Sequence, residues 1–445
     1  MKTLGRVRMT ANRRPLYVRE YGFLTRSEAL IEGENAAELP NSAFDYLRRA
    51  IQEETSPNDF SQFLKLTTYR RKTALKVQNY VGVLQTPCGT SIEILPKLYN
   101  HENENKETTR RILIKMLRCL RNSRFSIGGQ ADIHTEEMPL LELYVSQFLR
   151  LTNQLIKRGV RSDYSRQRKN ALFLKGRLLV TDQIRKNTMH PERFFIEYDE
   201  YQIDQPANRL IKSALQEIHK ITQSISNQRL AKELLFVFED VPVSNDCDND
   251  FLRLKLNRGM GYYQDALHWC RLLLNRQGPT ASSGNFNTFS FLYPMERLFE
   301  DYVAHWLRKE IETYFVKGTV LKTQSSKYSL IEEHEDKEVF RLKPDFVVRN
   351  GKQTVCVMDA KWKLINSSNR EKTNYNISEA DMYQLYAYGH KYLKKEKQKN
   401  LVLIYPKTEK FQKPLPVFKY EEGFKLKVVP FDLEKGTLID FAMKE

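Results

Sequence analysis

The sequence predicts a multidomain α/β protein with a β-rich N-terminal region, a mainly helical middle and a C-terminal α/β domain. Three observations carry that expectation. The chain has 445 residues, enough for two or three domains that each bury a core. Two polar stretches interrupt it: residues 101–107 are free of apolar side chains, and residues 277–285 are rich in turn formers. The hydrophobic period also changes across those breaks. The expected regions are therefore 1–100, 101–285 and 286–445.

In the first region, β-prone runs at 75–84 and 91–95 flank Pro87-Cys88-Gly89, the pattern of a hairpin and its turn. In the middle, residues 110–120, 140–156, 206–225 and 262–274 carry apolar side chains at helical spacing, such as Leu140, Tyr144, Val145, Phe148 and Leu151. The third region reads helix, strand, strand, helix, strand at 294–311, 346–348, 355–358, 377–392 and 401–405.

Composition narrows the partners. A net charge of +17 fits a phosphate-bearing partner such as nucleic acid. The segment 157–177 concentrates this charge, with eight basic side chains against the single acid Asp163. It suits phosphate oxygens or an acidic partner surface, and equally a solvated basic face. No apolar run approaches the roughly 18 residues of a membrane span, so no membrane association is expected. The start Met1-Lys2-Thr3-Leu4-Gly5-Arg6-Val7-Arg8 has neither the apolar stretch nor the cleavage site of a secretory signal, which points to the cytoplasm. Cys88, Cys119, Cys247, Cys270 and Cys356 lack ligand-like spacing, so neither a disulfide framework nor a structural zinc is expected.

The chemistry concentrates near the C-terminus. Pro344-Asp345 opens one predicted strand, and Asp359-Ala360-Lys361 closes the next. Side chains alternate across a strand, so Asp359 and Lys361 share a face, and Asp345 reaches it if the strands pair. Two aspartates offer hard oxygens to Mg²⁺, which lowers the pKa of a bound water for phosphodiester hydrolysis, and a lysine can orient that water or offset developing charge. Upstream, Glu296 and Glu300 share one helix face, and Glu300 is the preferred third metal ligand; solvated surface carboxylates are the alternative. Downstream, Gln384 and Tyr388 stand one helical turn apart, placed to touch DNA backbone or the metal-bound water, or simply to pack. An acidic helix, PD, DxK and a QxxxY helix in this order form the PD-(D/E)xK nuclease pattern. The C-terminal region is therefore expected to be a restriction-endonuclease-like α/β domain that cuts DNA with Mg²⁺.

Further stretches widen the likeness. Tyr80-Val81-Gly82-Val83-Leu84 with Ile92-Glu93-Ile94-Leu95-Pro96-Lys97, Lys175-Gly176-Arg177-Leu178, Asn208-Arg209-Leu210-Ile211-Lys212, Met295-Glu296-Arg297-Leu298-Phe299-Glu300-Asp301-Tyr302 and Asp359-Ala360-Lys361-Trp362-Lys363 occur in the order of the McrC family, which the chain resembles over most of its length. That resemblance implies the nuclease subunit of a modification-dependent restriction system, working in a hetero-oligomer with an McrB-type AAA+ GTPase that its N-terminal part stimulates. The chain itself has no G-x-x-x-x-G-K-[ST] loop: Gly259-Met260-Gly261 lacks the lysine that cradles phosphates. The leader through Thr55 and the segment around 246–249 carry no family motif. Two other functions compete, a non-catalytic adaptor of an AAA+ GTPase and a stand-alone repair nuclease.

Overall fold

The structure is a computed structural model and describes residues 15–26, 35–52, 60–98, 106–120, 138–254, 258–274 and 289–443. Both polar breaks expected as boundaries fall almost wholly outside these residues; only Lys106 and Glu107 are described, and they begin a helix.

The N-terminal part is β-rich. Its strands are β1 (Leu16–Arg19), β2 (Phe23–Thr25), β3 (Ala36–Glu38), β4 (Leu64–Tyr69), β5 (Lys72–Val77), β6 (Tyr80–Gln85) and β7 (Ser91–Leu95), with helix α1 (Asn41–Gln52) after β3 and α2 (Lys106–Arg118) after β7. The expected hairpin is β6–β7, antiparallel with Leu84 opposite Ile92. The expected run 75–84 divides at Gln78 and Asn79, so that β5 joins the sheet β3-β2-β5-β4 and β6 a different one. A continuous apolar run hides such a break, because both strands bury their side chains.

The middle is helical, with one addition. Helix α3 (Leu140–Lys157) leads to a polar three-stranded sheet of β8 (Asp163–Ala171), β9 (Arg177–Leu178) and β10 (Phe194–Gln202), with α4 (Val180–Asn187) between the last two. Then come α5 (Pro206–Ile221), α6 (Ile225–Val237), α7 (Cys247–Arg253) and α8 (Gln264–Leu274). The run 206–225 is two helices, split where buried Glu142 accepts hydrogen bonds from Thr222 Oγ1, Gln223 N and Asn227 Nδ2 at 2.5, 2.6 and 2.8 Å. The family-like Asn208 is structural here: its Nδ2 donates to Arg161 O at 2.9 Å and Ile203 O at 2.7 Å, while Tyr263 OH donates to its Oδ1 at 2.9 Å.

The C-terminal part runs β11 (Phe289–Pro294), α9 (Met295–Tyr314), β12 (Thr319–Thr323), β13 (Ser329–His334), β14 (Lys337–Arg341), β15 (Phe346–Asn350), β16 (Gln353–Ala360), α10 (Arg370–Thr373), α11 (Glu379–Tyr392), β17 (Lys399–Pro406), β18 (Phe418–Lys419), β19 (Phe424–Asp432) and β20 (Thr437–Leu438). A seven-stranded mixed sheet in the order β12-β15-β16-β17-β19-β18, with β20 on β19, forms its centre. β16 and β17 are parallel, so the chain crosses over between them through α11. Leu385, Tyr388 and Tyr392 of α11 pack on Val357, Leu403 and Val428 on one sheet face. The other parity faces α9, where Phe299 and Tyr302 meet Phe431 edge-on at 6.1 and 5.9 Å.

Contacts cluster into two compact units. One holds the described residues between 138 and 290, and the other those between 15 and 120 together with those from 291 onward. The second unit is discontinuous because β11 is an edge of the sheet β1-β7-β6-β11. The approach is close: Gly82 has φ +132°, and a Cβ there would come within 1.9 Å of Phe291 O. Among the described residues no helix is long and apolar enough to cross a membrane.

Candidate active site

Strand pairing assembles the site. Phe346 pairs with Met358, and one further step in that antiparallel register sets Asp345 beside Asp359. Asp345 Oδ2 accepts a hydrogen bond from Ala360 N at 2.9 Å, which locks its side chain over the strand end. Lys361 continues the ladder by donating its N–H to Ile404 O at 2.9 Å, and its Nζ lies 2.7 Å from Asp359 Oδ2. Asp345, Asp359 and Lys361 therefore face one another.

Burial dominates their electrostatics. Asp359 is 2% exposed. Burial, then the charges of Asp359 and Glu300, pushes the Asp345 carboxyl well above the usual carboxylate range. Burial also raises Asp359, while Lys361 and a hydrogen bond with Asp345 oppose that rise. Burial works against the Lys361 ammonium, but the adjacent Asp359 outweighs it and holds the lysine protonated above its ordinary value. Two acids that resist joint ionisation are what a bound cation relieves.

The supporting residues are arranged around this centre. Lys361 Nζ donates to Gln384 Oε1 at 3.0 Å, Gln384 Nε2 to Tyr388 OH at 2.6 Å, and Tyr388 OH to Lys343 O at 3.2 Å. Gln384 and Tyr388 thus form a chain of hydrogen bonds that holds the lysine, in keeping with the packing role that the sequence left open beside contact with DNA or water. Burial, then the charge on Asp359, pushes the Tyr388 phenol up to about 12, so it stays a neutral donor. Of the two helix acids, Glu300 belongs to the site. Gln324 Nε2 donates to Glu300 Oε1 at 2.6 Å and reaches Asp345 Oδ1 at 3.5 Å, whereas exposed Glu296 lies near Glu20, Tyr21 and Tyr80.

Gln324 was not foreseen. It occupies a turn, its φ of +50° is unusual for a residue with a side chain, and its backbone N–H donates to Asp345 O at 3.0 Å. No motif marks it. Asp381 was also missed; it accepts from Lys363 Nζ at 2.7 Å and Tyr405 OH at 3.2 Å, fixing the start of α11 against the sheet.

Among the described residues no three His, Cys, Asp or Glu side chains enclose a metal site. The donor set fits Mg²⁺ in a different way, because that ion keeps several waters and binds through one or two carboxylates. Asp345 and Asp359 would hold it, with Glu300 behind them through Gln324.

A cleft of about 840 Å³ lies along the α11 side of the sheet, lined by Lys322, Tyr328, Val347 and Tyr392 among others. Seven lysines and arginines line it against Glu332 and Glu396. Arg349 Nε in its wall is buried with no hydrogen-bond partner among the described residues. The other basic stretch, 157–177, is different. Arg166, Arg168 and Lys169 lie 3.7, 2.8 and 3.9 Å from Asp199, Glu197 and Glu200 on the facing strand, which offsets much of the charge that the sequence suggested was free.

Comparison with known proteins identifies the family. The family model described as McrBC 5-methylcytosine restriction system component matches residues 75–406. The chain belongs to this family. It is an McrC-type component of a restriction system, and its own sequence is 24% identical over 264 residues to the type IV methyl-directed restriction enzyme EcoKMcrBC of Escherichia coli K12, covering 58% of this chain and 74% of that protein. The fold of this McrC-type protein resembles a chain in the refined half-complex of Thermococcus gammatolerans McrB AAA+ hexamers with bound McrC, at a TM-score of 0.63, 19% identity and 96% coverage of both chains. The likeness in fold thus extends over nearly the whole chain.

Proposed function

We propose that this McrC-type protein is the endodeoxyribonuclease subunit of a GTP-dependent, modification-dependent restriction system, a PD-(D/E)xK enzyme that hydrolyses DNA phosphodiester bonds with Mg²⁺. The convergence of Asp345, Asp359 and Lys361 on one buried strand end carries this reading. Mg²⁺ would neutralise the phosphate and acidify a bound water. The chain's own groups do the rest. Asp345 and Asp359 would hold the cation. The Lys361 ammonium, fixed by Gln384, faces the place where negative charge develops, and such a preorganised donor contributes about 3–4 kcal/mol to a transition state. The basic cleft on the α11 side of the sheet suits the flanking DNA backbone.

Nucleotide hydrolysis would come from a partner. The E. coli relative is named as the restriction enzyme EcoKMcrBC, and the archaeal assembly pairs McrC with McrB AAA+ hexamers. By analogy this chain works in the cytoplasm within a hetero-oligomer containing an McrB-type GTPase. In cleavage of DNA carrying 5-methylcytosine with that partner, GTP and Mg²⁺, Asp359→Ala should reduce strand scission at least about a thousandfold while the complex still assembles. Cleavage by that variant at the wild-type rate, or undiminished cutting in EDTA, contradicts the assignment.

A further inference from the structure

Two of the family-like stretches, Ile92 to Lys97 and Asp359 to Lys363, meet on a side chain that neither contains. Glu20 follows β1 and is 1% exposed. Its Oε1 accepts two hydrogen bonds, from Lys97 N at 2.7 Å and from the Trp362 indole Nε1 at 2.8 Å. Its backbone is fixed on the N-terminal sheet, where its N–H donates to Leu95 O at 2.9 Å and its carbonyl accepts from Asn35 Nδ2 at 3.1 Å. Its Oε2 is buried with no hydrogen-bond partner among the described residues. A buried acid with an unpaired oxygen is costly, and apolar replacements of buried charges are often neutral or stabilising. Stability is therefore a poor reason for Glu20 to be there.

Its position suggests a better one. Trp362 directly follows Lys361. After the bond from Lys361 N to Ile404 O the chain turns, with Lys363 N donating to Lys361 O at 3.1 Å. The Trp362 ring packs at 5.3 Å on Phe299, the neighbour of Glu300. One indole thus touches both arms of the site, the strand end that carries Lys361 and the helical turn that carries Glu300. The Glu20 carboxylate fixes the polar end of that indole.

We infer that Glu20 is a positioning residue for the cleavage centre: through the Trp362 indole it sets the strand end bearing Lys361 and the turn bearing Glu300. The inference rests on the reading of that site as a nuclease. Three full-length variants test it. Trp362→Phe removes the N–H together with part of the buried ring, Glu20→Ala removes the acceptor and leaves the indole whole, and Glu20→Gln keeps the acceptor. Single-turnover cleavage of saturating methylated DNA with the GTPase partner should fall about ten- to a hundredfold in the first two, with DNA affinity unchanged, and by less than about threefold in Glu20→Gln. Amide hydrogen exchange, which needs no activity, should quicken at residues 359–363 in Trp362→Phe and Glu20→Ala but not in Glu20→Gln. Wild-type cleavage by Trp362→Phe, a rate loss matched by an equal loss of DNA binding, or unchanged exchange at 359–363 overturns the inference. Failure of the nuclease reading looks different: wild type does not cut, or Asp359→Ala does, while the exchange result still decides what Glu20 holds.

Discussion

At the scale of single residues, the site depends on how its lysine and acids are held. Gln384 ties Lys361 to α11, and Gln384→Ala leaves the ammonium held by Asp359 without that second partner. We expect about a tenfold loss in cleavage rate with unchanged DNA affinity, read by single-turnover kinetics. Glu20 gives a second expectation. Burial pushes its carboxyl up to about 7, against hydrogen bonds from Lys97 and Trp362 and with a contribution from the charge on Glu296. An acid whose folded pKa lies above its unfolded value favours the native state most when protonated. Its contribution is therefore full below about pH 4.5 and is lost as pH rises toward 7, amounting to at most about 3 kcal/mol. Melting temperature should fall less across that interval in Glu20→Gln than in wild type; parallel curves would refute the assignment. That Asp345, Asp359 and Lys361 come together was legible because strand alternation and strand pairing fix their positions. Gln324 was not, because a left-handed turn residue that bridges Glu300 and Asp345 has no local signature.

At the scale of elements, helices such as α3 and α11 were legible from their apolar period, whereas the strands β8 and β10 were not. DYSRQRKNA is largely polar, FFIEYDEYQ mixes aromatic with acidic side chains, and both strands are mostly half-buried or exposed. Their pairing is sustained by ladder bonds and by opposite charges that face each other only after the strands align, a long-range fact. The turn that opens β9 is more demanding. Gly176 has φ +75°, and a Cβ there would approach Glu197 O to 2.5 Å and Tyr198 Cβ to 2.6 Å. Gly176→Ala should destabilise the protein by about 1–2 kcal/mol or more, measured by denaturant titration. An unchanged midpoint would mean that the turn relaxes freely.

At the scale of the whole molecule, charge and connectivity matter most. If the basic cleft carries DNA backbone, Lys394→Glu with Lys395→Glu should weaken binding about equally for different sequences. It should also reduce the slope of log affinity against log salt by roughly 1 to 2, measured with an Asp359→Ala background that cannot cut. A sequence-dependent loss at constant slope would assign those lysines another role. The mixed α/β class was legible, since each region announces its periodicity. The pairing of β6 with β11 was not, because nothing near residue 82 signals a partner near residue 291.

That pairing has a consequence for synthesis. The strands from Leu16 to Leu95 leave the ribosome nearly two hundred residues before β11 does, and at 5–20 residues per second they wait about ten to forty seconds for the edge that completes their sheet. During that interval β6 presents an unpaired backbone edge, and the Glu20 carboxylate faces no indole. The nascent chain is thus most exposed to mispairing before the Asp345, Asp359 and Lys361 cluster exists, which makes slow or interrupted translation of the middle region a hazard for the N-terminal sheet.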